Sequence, residues 1–254
     1  MDEGSSPLEI LGVVAQQEVA VTASLRHVEL FTMGGLLTML SHEPAGEPVA
    51  AVIACGGAMG GLLGPSNGLY HSLGSSLAGR GVATIRVSYR RPNDMTACCV
   101  DVAAAVQIAA SHGAGRIVVM GHSFGGAVAI RVAVGLADAV DGVVTFATQS
   151  AGCEIAGGLN GRPLLMFHGT NDEILPLQSS EVVKAIAGTG ELIELEGDGH
   201  LLAHSGAAIR SNLDPWLDRV LGLGDAARAD GPRAVTGSRL RRRDARSTPS
   251  RSPR

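Results

Sequence analysis

The run VVMGHSFGGAVAI, residues 118–130, constrains this chain more than any other. Ile117, Val118, Val119 and Met120 form a mostly β-branched apolar run that reads as a buried strand, and residues 127–134 read as a packed helix with small residues at its close contacts. Between them Gly121, Ser123 and Gly125 describe a turn too tight for larger side chains. Such a turn lifts a serine Oγ off the end of a sheet and aims the N-terminus of the following helix at it.

The rest of the chain extends this strand-to-helix pattern. Antiparallel strands are expected near 19–31 and 36–41, where apolar and polar residues alternate. Strand 49–54, helix 69–79, strand 82–87 and helix 96–111 follow, the last begun by Thr96 as an N-cap. Strand 116–120 then leads into helix 124–137, and strands 142–147 and 163–167, helix 177–187, strand 190–195 and helix 203–221 complete the series. Strands with β-branched centres alternating with helices imply an α/β fold, a mostly parallel twisted sheet with helices on both faces. In such sheets functional residues gather beyond the carboxyl ends of the strands.

Downstream of Ser123 the chain carries HGTND at 168–172 and GDGH at 197–200, each after an apolar strand-like run. From Ser123 to Asp172 is 49 residues, and from Asp172 to His200 a further 28. A G-x-S-x-G serine followed by an acid and then a histidine resembles the α/β-hydrolase family, over about residues 20–222. Within that family the chain is most similar to the small dienelactone-hydrolase-type and serine esterase branch, which commonly carries cysteine where this chain has Ser123. The resemblance implies Ser123 as nucleophile, Asp172 as acid and His200 as base. Glu173 and Asp198 compete with Asp172 for the acid role on position alone.

These residue types suit one chemistry. A serine hydroxyl is a weak nucleophile unless a base takes its proton as it attacks, and histidine titrates near the working pH. A buried carboxylate fixes the imidazole tautomer. The oxyanion that forms needs preplaced donors: the N–H of Phe124, and a second from the glycine-rich loop ACGGAMGG after strand 49–54, either Gly57 or Ala58. That loop begins Cys55–Gly56 where many relatives have His-Gly, and it lacks the lysine and Ser/Thr of a phosphate-binding loop.

Arg90 and Arg91, just past a strand end, either hold a substrate carboxylate bidentately or pair with Asp94 or Asp101. Gln149 and Ser150, candidates to face the substrate, lie in the loop 148–162, which is too short for an inserted helical cap and implies an open, shallow site without a cap domain. His122 and His168 are expected to brace loops. His200 and His204 have a metal-compatible spacing, but the glycines around His200 place it on a loop with no third ligand in view, so no metal and no organic cofactor are expected.

The two ends of the chain differ from its body. One domain is expected at 19–222, after an N-terminal segment 1–18 and before an Arg-rich tail, 223–254, expected to be disordered. From Asp225 onward nine Arg face three Asp, whereas the preceding chain carries 11 basic and 21 acidic residues, a balance that repels nucleic acid. With 45% hydrophobic and 17% charged residues the chain has ample apolar material for a large core, and with 3% aromatics that core is built from Val, Leu, Ile and Ala. The acidic opening is not a secretory signal, no run is long enough to span a membrane, and the vicinal pair Cys98–Cys99 suits reduced thiols, together implying a cytoplasmic protein. The leading expectation is hydrolysis of a small-molecule ester or thioester through an acyl-enzyme. The rival is a hydrolase-fold protein that binds a small ligand or a protein partner with little turnover.

Overall fold

The computed structural model describes residues 5–224, so most of the Arg-rich tail lies outside the described residues. The chain forms one nine-stranded sheet in the order β1-β2-β3-β5-β4-β6-β7-β8-β9. Strands β1 (Val13–Ala20), β2 (Leu25–Thr32) and β3 (Gly35–His42) are antiparallel, and β3 joins β5 (Val82–Ser88) antiparallel as well. From β5 the sheet continues in parallel through β4 (Ala50–Cys55), β6 (Ile117–His122), β7 (Gly142–Phe146), β8 (Leu164–Gly169) and β9 (Glu191–Leu195).

Strands β4, β6, β7 and β8 are buried along their whole length, as parallel strands covered on both faces must be. Their side chains alternate between two apolar layers. One layer lies under α1 (Pro7–Leu11), α3 (Met95–Ser111), α4 (Phe124–Gly135) and α5 (Gln178–Ala187). The other lies under α2 (Pro65–Ala78) and α6 (Gly206–Leu221). Each fully buried Val, Leu, Ile or Phe contributes about 1.5–3 kcal/mol, so these layers dominate the stability.

The single strand expected at 19–31 is two strands. A turn at 21–24, in which the N–H groups of Val21 and Thr22 both reach the Leu25 carbonyl, reverses the chain. β1 is exposed along both faces and α1 begins at a capping box of Ser6 and Glu9, so residues ahead of 19 take part in the sheet and its cover. Helix α3 starts earlier than expected: Asp94, not Thr96, is its N-cap, accepting from the Ala97 N–H at 3.0 Å. The loop 148–162 holds only a short 3-10 turn, Ala156–Leu159, and no cap domain interrupts the sheet. No helix among the described residues is long and apolar enough to cross a membrane.

The chain leaves β4 for α2 on one face, and leaves β6 for α4 on the other. β4 and β6 are neighbours, so their carboxyl ends flank a crevice where the direction of winding reverses. The candidate site sits there.

Candidate active site

Ser123 occupies the corner between β6 and α4 at φ 57°, ψ −121°, a conformation that costs a non-glycine residue about 1–3 kcal/mol. Its N–H is held by the Phe146 carbonyl of β7 at 2.8 Å. The glycines around it answer to close approach: a Cβ on Gly121 would lie 1.9 Å from the Gly125 carbonyl oxygen, and one on Gly125 would lie 2.3 Å from that of Gly56. The corner is thus folded hard against the loop after β4. Phe124, first residue of α4, has an N–H with no acceptor inside its own helix.

The loop after β4 doubles back on itself, with Gly57 bridging Gly60 and accepting its N–H at 2.9 Å. This resolves which residue stands beside the serine. A Cβ on Gly57 would fall 3.6 Å from the Ser123 Cβ, whereas Ala58 packs against the core layer under α3 and α4. Cys55 is buried, its thiol pushed up to about 12 by burial, and fills space against the Met120 and Gly125 carbonyls.

Asp172 and His200 arrive from the ends of β8 and β9. The Nδ1 of His200 lies 2.8 Å from Oδ2 of Asp172, whose Oδ1 accepts the N–H groups of Ile174 and Leu175 at 2.8 Å each. A carboxylate only accepts, so Nδ1 carries the proton and Nε2 of the neutral ring keeps a free lone pair. Burial pushes the Asp172 carboxyl upward, but the Leu175 and Ile174 N–H groups and the His200 ring outweigh it and hold the group below the usual carboxylate range. The two rival acids are committed elsewhere. Glu173 accepts the His200 backbone N–H at 3.3 Å, and Asp198 accepts the N–H groups of Gly199 and His204 at 3.0 and 3.1 Å.

His122 links the parts. Its Nε2 donates to the His200 carbonyl at 2.9 Å, its ring stands 4.8 Å from that of His200, and burial lowers its pKa, keeping it neutral. His168 is fully buried, with Nδ1 2.7 Å from the Ser180 Oγ and Nε2 at 3.0 Å from the Leu175 carbonyl and 3.2 Å from Oδ2 of Asp172. Both histidines brace loops, as expected. His204 turns its Nδ1 to Asp198 and is exposed, so it does not converge with His200 on a common ligand position.

Of the residues singled out for substrate contact, Arg90 takes its pairing alternative. It sits 2.5 Å from Asp101 through Nε, accepts no solvent-facing role at 9% side-chain exposure, and points Nη1 to the Thr32 hydroxyl at the end of β2. Arg91 is exposed on the loop before α3, and Gln149 folds back to donate to the Ala151 carbonyl at 2.7 Å. Neither is brought onto Ser123. Sequence reasoning passed over Tyr70 and Tyr89, whose hydroxyls donate to the Cys55 and Gly56 carbonyls. Their being the chain's two tyrosines, each near the glycine-rich loop, was the only available signal.

A family model described as the alpha/beta hydrolase family matches residues 65–207. No curated protein sequence matches the chain. Among solved structures, Est1E from Butyrivibrio proteoclasticus is similar at a TM-score of 0.66 and 17% identity, over 77% of this chain and 99% of that one. A dienelactone hydrolase from Anabaena variabilis is similar at 0.65 and 16% identity, over 81% and 98% of the two chains. A cold-adapted esterase from an Arctic intertidal metagenomic library gives 0.64 and 17%, over 80% and 97%.

Proposed function

The chain belongs to the alpha/beta hydrolase family, and on that premise we propose that it is a serine hydrolase of small carboxylic esters or thioesters. The observation that carries this reading is the His200–Asp172 hydrogen bond of 2.8 Å, with the His200 carbonyl tied to His122, the residue before a serine held at a sharp β6–α4 corner. In this reading the Nε2 of His200 takes the Ser123 proton as Oγ attacks the acyl carbon, and the tetrahedral oxyanion is received by the N–H groups of Phe124 and Gly57. Collapse expels the alcohol or thiol, protonated by His200, and leaves an acyl-enzyme. Water, deprotonated by the same ring, then releases the acid. Asp172 keeps the ring in the productive tautomer and stabilises its cationic form.

The short 148–162 loop supports a small or protruding acyl group rather than a long enclosed one. The cold-adapted esterase and the dienelactone hydrolase among the similar folds support ester chemistry. The test is turnover of p-nitrophenyl esters and acyl thioesters of rising chain length by the wild type and by Ser123→Ala. Turnover of short acyl groups that Ser123→Ala abolishes supports the reading. Equal turnover by both proteins, or none by a folded wild type, contradicts it.

A further inference from the structure

The glycine-rich loop after β4 is held from opposite faces of the sheet by the two tyrosines. The Tyr70 hydroxyl, on α2, donates to the Cys55 carbonyl at 3.1 Å. The Tyr89 hydroxyl, one residue past β5, donates to the Gly56 carbonyl at 3.0 Å. Both rings are buried, Tyr70 in the layer under α2 and α6 and Tyr89 in the layer under α3 and α4.

These two bonds have different consequences. A peptide group is planar and trans, so the Gly56 carbonyl and the Gly57 N–H point in opposite directions. Anchoring the Gly56 carbonyl on Tyr89 therefore sets the direction of the Gly57 N–H, away from Tyr89. Gly57 is the residue that lies against Ser123 and the His122 Nδ1, a Cβ there falling 3.6 and 3.7 Å from them. Its own carbonyl is tied down by the Gly60 N–H at 2.9 Å, so the residue is clamped on both sides. The clamp has work to do because a Gly-Gly peptide rotates at little steric cost, and a rotated peptide would aim a carbonyl where an N–H is needed. The Tyr89 ring also meets Phe124 edge-on, at 6.3 Å and 87°, which ties this loop to the head of α4. Burial raises the Tyr89 phenol far above the ordinary tyrosine range, so it stays a donor at every working pH.

We propose that Tyr89 is a positioning residue: its hydroxyl, acting through the Gly56 carbonyl, aims the Gly57 N–H at the oxyanion formed on Ser123. The inference rests on the serine-hydrolase reading above. It makes a buried residue of the layer under α3 and α4 a determinant of kcat, although Tyr89 touches no substrate.

The test compares the wild type, Ser123→Ala, Tyr89→Phe and Val102→Ala. Tyr89→Phe keeps the ring packed on Phe124 and removes only the hydroxyl, and Val102→Ala is a buried truncation in α3 that reports what lost stability alone does. Loss of one oxyanion donor typically lowers kcat by about 10²–10³-fold, so its misdirection in Tyr89→Phe is expected to lower kcat on p-nitrophenyl acetate at least ~10-fold with KM within ~2-fold. Affinity for a trifluoromethyl ketone, which forms the oxyanion on the serine, falls in the same ratio as kcat/KM. Val102→Ala loses thermal midpoint but keeps kcat and inhibitor affinity. A kcat for Tyr89→Phe no lower than that of Val102→Ala overturns the proposal while Ser123-dependent turnover leaves the parent reading standing. Absence of Ser123-dependent turnover in the wild type overturns both.

Discussion

Asp172 meets the Nδ1 of His200 with one carboxylate oxygen at 2.8 Å and gives its other to the N–H groups of Ile174 and Leu175. The acid is therefore oriented by its own loop before it orients the ring. Its side chain is fully buried, so the field it exerts on His200 is little screened by water.

Replacing that acid by an amide tests the role directly. Asp172→Asn presents an N–H to Nδ1 and favours the wrong tautomer, so kcat is expected to fall by about 10⁴-fold with the fold intact. Steady-state kinetics on a short ester with circular dichroism of the variant check this. A loss below about tenfold would remove Asp172 from the mechanism.

His42 makes stability depend on pH. Its ring is buried between Arg86 of β5 and His71 of α2, both ring nitrogens lack a partner among the described residues, and burial, then Arg86 and His71, lower its pKa to about 4. The unfolded side chain titrates near ~6.5, so between the two values the unfolded state binds more protons and stability falls as pH falls. Urea midpoints are expected to decline from pH 6.5 toward 4 in the wild type, and less steeply in His42→Leu. Parallel slopes would show that His42 carries none of this dependence.

Arg90 and Asp101 form a buried pair, with side-chain exposures of 9% and 0%. Removing one partner strands the other, a change that costs about 3–5 kcal/mol in buried pairs. Arg90→Ala is expected to lower stability on that scale while leaving KM for neutral and anionic esters in their wild-type ratio. A selective rise in KM for anionic esters would restore Arg90 as a substrate ligand.

What the sequence made legible, and what it hid, divides along physical lines. The corner at Ser123 was readable because a strand period passes into a helix period across glycines that packing requires. Asp172 and His200 were readable because each follows an apolar run whose end the sheet must place on the same edge. By contrast, β1 is exposed on both faces, so VVAQQEVA carries no alternation to betray it. Choosing Asp101 over Asp94 as the partner of Arg90 required knowing that Asp94 is spent as the cap of α3. Separating Gly57 from Ala58 required the Gly57–Gly60 bridge, a contact local in sequence but decided by the elbow packed against it.

Glycine at the elbow is a steric requirement, not a preference. Gly125→Ala places a Cβ 2.3 Å from the Gly56 carbonyl oxygen and must push the loop after β4 away from Ser123, whereas Gly46→Ala meets nothing within 4 Å. Gly125→Ala is expected to lose at least ~2 kcal/mol of stability and most activity, and Gly46→Ala to stay within about 0.5 kcal/mol of wild type. Comparable midpoints in denaturant for the two variants would refute the close approach.

Whether Ser123 is an activated nucleophile is read out by covalent labelling with a tagged fluorophosphonate and mass spectrometry of the modified peptide. One adduct is expected on Ser123 of the wild type and none on a folded Ser123→Ala. A folded wild type that takes no label, or an adduct that persists in Ser123→Ala, would contradict it.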